Sequence, residues 1–182
     1  LLPGDQANQE AMPIRKANAS DLPGILAIYN HEILHNTSVY TEEPQTLEEK
    51  LEWLRDKEVA GFPVFVVDDD GEVAGFGTYG IFRSFCGYRY CVEHSIYVAE
   101  HKRRRGYGKQ LLTAVVDAAS AQGMHTMIAA VDAQNEASIR LHLDFGFEKV
   151  GQFHEVGRKF DRWLNVVFLQ KTLDARSELD SR

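Results

Sequence analysis

Apolar residues recur along this chain in two rhythms, helical stripes and β-type runs, and their order predicts the fold. Ile25, Leu26, Ile28, Tyr29 and Ile33 form a helical stripe after Ser20, a suitable N-cap. Thr46-Leu47-Glu48-Glu49 fits a capping box and opens a second helix with Leu47, Leu51 and Leu54 inward. Between the two, His31 to Pro44 reads as a loop rich in polar and aromatic groups, the kind of segment that often carries function. Met12 to Ala17 predicts a short first strand, Pro63 to Asp68 a second, and Asp70-Gly71 a hairpin into Glu72 to Tyr79. Tyr88 to Val98 predicts a long central strand. Leu111, Leu112, Val115, Val116 and Ala119 mark a helical face closed by Gly123. His125 to Val131 is a further strand, and Asn135 to Phe145 a helix with Ile139, Leu141 and Leu143 apolar and Gly146 at its end. Phe147 to Phe153 and Leu164 to Leu169 supply the last strands. The order βααβββαβαββ predicts an α+β fold on a mixed sheet. It alternates too irregularly for a doubly wound nucleotide fold.

At 182 residues the chain is long enough for one substantial core, expected over residues 12–173. Residues 1–11 read as a leader or extension ending at Met12, and 174–182 as a charged tail. No run approaches the roughly 20 apolar residues of a membrane span, and no signal peptide precedes the first element. A net charge of −7 argues against a general nucleic-acid surface. Cys86 and Cys91 lie too close on one extended segment for an unstrained disulfide, and two cysteines make no tetrahedral zinc site. Free thiols, a cytoplasmic location and no metal are the expectation.

Against this acidic background, His101-Lys102-Arg103-Arg104-Arg105-Gly106-Tyr107-Gly108-Lys109 stands out. Gly106 and Gly108 permit tight backbone between a strand and a helix, so that free amides, the positive helix end and five cationic side chains can converge on a diphosphate or similar polyanion. A solvated basic turn is the other reading of the same residues. Lys109 is followed by Gln110, which excludes the nucleotide-triphosphate loop, and the glycine spacing is not that of the dinucleotide fingerprint.

Arg103-Arg104-Arg105-Gly106-Tyr107-Gly108, preceded by Ser95-Ile96-Tyr97-Val98, resembles the acetyl-CoA motif of the GNAT N-acetyltransferase superfamily. Asn135-Glu136-Ala137-Ser138, His142 and Phe145-Gly146-Phe147 resemble the same family's Asn-x-x-Ser and Gly-Phe helix. Tyr29-Asn30-His31-Glu32, Gly80-Ile81-Phe82-Arg83, Tyr88 to Ser95 and Val156 to Leu164 are similar to its phosphinothricin N-acetyltransferase branch, over essentially Met12 to Leu173. The resemblance implies a central sheet of six to seven mostly antiparallel strands, with two splayed parallel strands in the middle and about four flanking helices. It implies acetyl transfer from acetyl-CoA, in a ternary complex, to the α-amino group of a small carboxylate-bearing acceptor such as phosphinothricin, methionine sulfoximine or methionine sulfone. A protein N-terminus, a polyamine, or a non-catalytic acyl-CoA-binding role are the alternatives. A homodimer is implied as well.

Carried onto this sequence, main-chain groups of Ile96, Tyr97 and Val98 hold the pantetheine, and residues Arg103, Arg104, Arg105, Gly106, Tyr107, Gly108 and Lys109 the diphosphate. Asn135 contacts the pantetheine arm. Glu93 is the general base, and strand alternation places it on one face with Arg89, Cys91 and Ser95. Its other reading is an ion-pair partner of Arg89. Arg83 and Arg89 are forks for a carboxylate or phosphinate, with Phe82, Cys86, Gly87 and Tyr88 walling the pocket. Glu32 either steers the substrate ammonium or is an exposed helix-end acid. His142 takes the place of the acid that protonates the departing thiolate, or packs beneath its helix. Neither cysteine has an evident activating partner.

Overall fold

The computed structural model describes residues 14–173, so the expected leader and C-terminal tail lie outside the described residues. The elements are β1 (Ile14–Lys16), α1 (Leu22–His35), α2 (Leu47–Val59), β2 (Val64–Asp69), β3 (Glu72–Ile81), β4 (Cys91–Val98), α3 (Tyr107–Ala121), β5 (Thr126–Asp132), α4 (Glu136–Asp144), β6 (Glu148–Lys159) and β7 (Arg162–Thr172). They follow the expected order. All seven strands join one sheet in the order β1-β2-β3-β4-β5-β7-β6, antiparallel except for the central β4–β5 pair. This is the mixed α+β sheet with a parallel pair at its centre.

Local chemistry sets most boundaries. Thr46 and Glu49 form the capping box of α2, each side chain taking the other's backbone amide. The Asp70-Gly71 turn has positive φ at both residues, 56° and 84°, as a two-residue hairpin of this twist demands. Asn135 caps α4 by accepting from the Ser138 amide at 3.0 Å. Ser20 does not cap α1, whose N-cap is Asp21 without a side-chain bond; instead Asn18 and Asp21 close a reciprocal capping box on a short 3₁₀ turn that leads into the helix.

The two sheet faces carry separate cores. On one, Leu112, Val115, Val116 and Ala119 of α3 pack on Val92, Met127, Ala129 and Val131, joined by Phe147 and Leu169. On the other, Leu22, Ile25 and Ile28 of α1 and Leu54 of α2 pack on Val64, Val66 and Phe76. Close seating of α3 depends on Gly75, where a Cβ would lie 2.8 Å from the Tyr97 carbonyl oxygen and 3.2 Å from Leu111 Cδ1. Two expected inward residues, Leu47 and Leu143, are instead about half exposed.

The central strand is shorter than expected. Cys86–Tyr88 form a 3₁₀ turn and Arg89 has helical φ and ψ, so β4 begins at Cys91. The β-favouring side chains of Tyr88 and Tyr90 lie in a turn because the chain must reverse there to pair β4 with β3.

Candidate active site

The parallel pairing of β4 with β5 covers only Cys91–Glu93 against Thr126–Ile128. Beyond it β4 stays paired with β3 as far as Val98, and β5 with β7 as far as Asp132, so the two strands part. The Phe82 amide donates to the Cys91 carbonyl and the Ala99 amide to the Ala74 carbonyl, whereas the Tyr90 carbonyl accepts from the β5 side. Odd-numbered residues of β4 therefore address β3, and even-numbered ones address the gap. Past the last pair, the main chains of Ile96 and Val98 face that opening. Tyr97 does not: its main chain pairs with Phe76, and its ring packs against Tyr29 of α1 at 5.5 Å.

At the wide end of the gap lies the basic turn. Gly106, at φ 86°, caps α3 without a side-chain bond, and the first internal helical bond runs from the Gln110 amide to the Gly106 carbonyl. The amides of Tyr107, Gly108 and Lys109 precede it and have no helical partner. The cations are not equivalent. Lys102 pairs with Asp69 and Glu72, both at 2.8 Å, and Arg105 lies 3.6 Å from Asp69. These contacts hold the Asp69 carboxyl below its usual range, the Lys102 hydrogen bond most of all. Arg103 turns back to pair with Glu32 and to donate to the Val98 carbonyl at 3.3 Å. Among the described residues Arg104 and Lys109 make no ion pair. The Tyr107 side chain is buried in the core, leaving its amide to the turn. The five-cation turn thus resolves into two free cations, three that tie the turn to α1 and to the β2–β3 hairpin, and a row of open helix amides. These amides, with the open edge of β4, fit the diphosphate and amide groups of acetyl-CoA.

Glu93 is the last β4 residue paired before the strands part, and it shares a face with Cys91, Ser95 and Tyr97. Half-buried and without an ion pair among the described residues, its carboxyl is pushed above the usual range by burial, with the nearby Arg83 charge opposing. Arg89 does not share that face. It donates to the Cys86 carbonyl at 3.1 Å and stacks on Tyr90 at 4.8 Å, which removes the Arg89–Glu93 pair. Arg83 stacks on Phe82, which meets Tyr88 edge-on at 5.9 Å, so the loop carrying Cys86 and Gly87 holds one arginine toward Glu93 and one away.

Glu32 is not the exposed helix-end acid of one expectation: it is buried, and its carboxylate accepts from Arg103, from Ser38 Oγ at 2.8 Å and from Asn36 Nδ2 at 3.2 Å. His142 is buried too. Its Nδ1–H donates to the Ser138 carbonyl at 2.6 Å, so in the neutral ring Nε2 accepts from His94 Nε2–H at 3.0 Å. Burial lowers both rings, His94 to about 3. A neutral imidazole whose one proton is held by a carbonyl is not a free acid, and His142 is a packed, tautomer-locked residue in this arrangement.

Four buried polar residues escape sequence reasoning. Lys159, at the β6–β7 turn, donates to the carbonyls of Asn36 and Val39 at 2.7 Å and pins the segment after α1. Lys50 is buried over the Tyr29 ring at 3.6 Å. His94 and Asp132 are buried polar residues of β4 and β5, and only their place in an apolar-patterned strand marks them.

A model of the acetyltransferase (GNAT) domain matches residues 14–168. The L-methionine sulfoximine/L-methionine sulfone acetyltransferase of Pseudomonas aeruginosa is 46% identical over 88% of this chain and 94% of its own. Among solved structures, a Brucella melitensis ribosomal-protein-alanine N-acetyltransferase superposes with a TM-score of 0.87 at 42% identity, covering 88% of this chain and 99% of that one. A Sinorhizobium meliloti phosphinothricin acetyltransferase in complex with acetyl-CoA does so at 0.86 and 35% identity, covering 88% of each chain. With the matched family model, the splayed central pair and the glycine-capped basic turn in one chain, this protein belongs to the GNAT acetyltransferase family and is an acetyl-CoA-dependent N-acetyltransferase.

Proposed function

We propose that the enzyme acetylates the α-amino group of a small amino-acid-like acceptor of the methionine sulfoximine, methionine sulfone or phosphinothricin type. The observation that carries this is Glu93: a half-buried carboxyl without an ion pair, where β4 and β5 part, in a chain 46% identical to a sulfoximine/sulfone acetyltransferase. The main chains of Ile96 and Val98, the amides of Gly106 to Lys109, Arg104, Lys109 and Asn135 hold the acetyl donor. Arg103 and Arg105 brace the turn through their acid partners. Arg83, with Phe82, Cys86, Gly87 and Tyr88, receives the acceptor's anionic end, and Arg89 lies at the rim.

Acetyl-CoA supplies an activated thioester carbonyl. Glu93 takes the proton that an α-ammonium must lose before its nitrogen can attack, directly or through one water. An ordinary glutamate is too acidic for this; its raised pKa narrows the mismatch. The N–C bond forms and the C–S bond breaks; the proton that the attacking nitrogen sheds in becoming an amide passes to the departing thiolate, which leaves as CoA thiol with no covalent enzyme intermediate.

The likeness to a ribosomal-protein-alanine acetyltransferase favours a second reading, a protein N-terminus as acceptor. CoA release with sulfoximine, sulfone and phosphinothricin, against N-terminal alanine peptides, decides between them; activity confined to peptides overturns the amino-acid reading. Glu93→Gln is expected to lower kcat by about 10²–10⁴-fold with acetyl-CoA affinity unchanged. Undiminished turnover would remove the base assignment. We also infer a homodimer that covers the exposed apolar side chains of β6 and β7, a cytoplasmic location in which Cys86 and Cys91 stay reduced, and no nucleic-acid partner on so acidic a chain.

A further inference from the structure

Gly80 of β3 pairs with Glu93 of β4, and residues opposite each other in an antiparallel pair share a face. That face carries α2, whose Leu54 packs on Val64, Val66 and Phe76. β2 begins at Val64, opposite Thr78, so from Tyr79 onward β3 has no β2 partner. A hollow of about 310 Å³ lies there, walled by Trp53 and Lys57 of α2, Phe62, Gly80 and Ile81, with the exposed Asp56 at its rim. Gly80 puts no side chain between this hollow and Glu93.

Lys57 is the cation of this hollow. Its Nζ donates at 2.8 Å to the Tyr79 carbonyl, which also accepts from the Thr78 hydroxyl at 3.3 Å, and lies 5.7 Å from the Phe62 ring centroid. An ammonium has three donors, and among the described residues this one spends a single donor and pairs with no carboxylate. Burial lowers its pKa from the ordinary lysine value. A Cβ added at Gly80 would lie 3.0 Å from this Nζ. The same Cβ would stand ~5.5 Å from that of Glu93, which puts the ammonium within ~8.5 Å of the Glu93 Cβ. A partly desolvated cation with open donors, beside a hollow one strand away from the base, is favourable only with an oxygen to receive them.

We propose that Lys57 is a specificity-determining residue whose ammonium donates to the oxygen on the sulfur or phosphorus of the acceptor side chain. With the amine at Glu93 and the α-carboxylate toward Arg83, the side chain crosses Gly80 into the hollow. The reach fits: in sulfone, sulfoximine and phosphinothricin alike the tetrahedral atom stands three bonds from the α-carbon, which covers the ~4.8 Å from one strand to the next. The chemistry discriminates as well. All three acceptors present an oxygen there, and the phosphinate adds a negative charge, whereas the thioether of methionine has only a weak sulfur acceptor. Lys57 therefore selects the oxidised side chain over the parent amino acid. This inference rests on the amino-acid acceptor reading.

The test measures KM for methionine sulfone and phosphinothricin, and the inhibition constant of methionine as a competitor, in wild type, Lys57→Met and Lys57→Arg. Acetyl-CoA affinity and thermal midpoint serve as controls. Wild type is expected to bind the sulfone about tenfold more tightly than methionine, the scale of one hydrogen bond to a charged group. Lys57→Met keeps the apolar stem and should erase that difference by raising KM for the sulfone, and raise it further for phosphinothricin, with kcat held. Lys57→Arg keeps a donor and should retain part of it. An unchanged sulfone-to-methionine difference in a folded, active Lys57→Met overturns the proposal, leaves Lys57 as a cap on the Tyr79 carbonyl, and leaves the acceptor class standing. Wild type that acetylates neither sulfone nor phosphinothricin overturns both. If Lys57→Met does not fold, Gly80→Ala decides, since its methyl would stand in the passage to Lys57. An unchanged KM for the sulfone in that variant rejects the assignment.

Discussion

Lys50 takes an inward position on α2 that helical periodicity assigns to apolar side chains, while Leu47 is half exposed. Its ammonium lies 3.6 Å from the Tyr29 ring centroid and 4.7 Å from that of Trp53, contacts that offset part of the desolvation. The remainder shows as a pKa lowered to about 8 by burial. Below that value folded and unfolded chains both hold the proton, and the cost of burying the charge is paid in full. Between about 8 and the ordinary lysine value of ~10.4 the unfolded chain binds more protons, so this group makes stability rise with pH. Lys50→Met keeps the volume and removes the charge. It is expected to be more stable than wild type at pH 7, with an advantage that shrinks by pH 10 in urea unfolding; a pH-independent difference would refute the assignment. Glu93 works in the opposite range. Its carboxyl is raised, so the acid limit of kcat/KM should lie above the ordinary glutamate range and should vanish in Glu93→Gln. Strand alternation made the face shared by Glu93, Cys91 and Ser95 legible in the sequence, but it also put Arg89 there, and Arg89 lies in the turn before the strand. Lys50 was not legible, because residue type argued for the surface while the aromatic rings that accept it come from α1 and from its own helix.

At the scale of elements, the order of strands and helices and most of their ends could be read from local signals: the Thr46–Glu49 box, the Asp70-Gly71 turn, the Asn135 cap, and Gly123 and Gly146 at positive φ after α3 and α4. The basic turn was legible as an anion site for the same reason. Its division of labour was not, because the partners are distant: Glu32 is 71 residues from Arg103, and Asp69 33 from Lys102. That division yields a ranking. Arg104→Ala is expected to weaken acetyl-CoA about five- to tenfold in a salt-dependent way, as loss of one charge-assisted phosphate contact does. Arg105→Ala, whose cation already faces Asp69, should cost about twofold or less by the same scale. Equal losses in calorimetric titration of the two variants would contradict the ranking. Gly106 holds φ at 86°, so Gly106→Ala should cost about 1 kcal/mol of stability and misalign the open amides. The start of β4 misled because Tyr88 and Tyr90 favour strands, yet the reversal from β3 places them in a turn.

For the whole molecule, the sheet ends very differently at its two sides. β1 is a three-residue edge, whereas β6 runs for twelve residues along the other edge with Val150, Phe153 and Val156 each more than half exposed. Trp163 on β7 is 60% exposed, and Phe160 at the turn 46%. A long apolar edge strand invites pairing, and the homodimer inferred above would close it with a second copy of the chain. The same hairpin reaches the acceptor side. Lys159 at its tip holds the carbonyls of Asn36 and Val39, next to the Ser38 and Asn36 side chains that secure Glu32 and, through it, Arg103 of the basic turn. The inferred assembly is therefore expected to influence acceptor binding through this one short segment. Phe153→Lys alters an exposed side chain whose one aromatic neighbour is Phe168 at 5.1 Å, so the fold should survive it. Sedimentation velocity is expected to show a dimer for wild type and a monomer for Phe153→Lys, with the acceptor KM raised and acetyl-CoA affinity held. A monomeric wild type would remove the assembly, and a monomeric variant with unchanged acceptor KM would remove the link between the hairpin and the site.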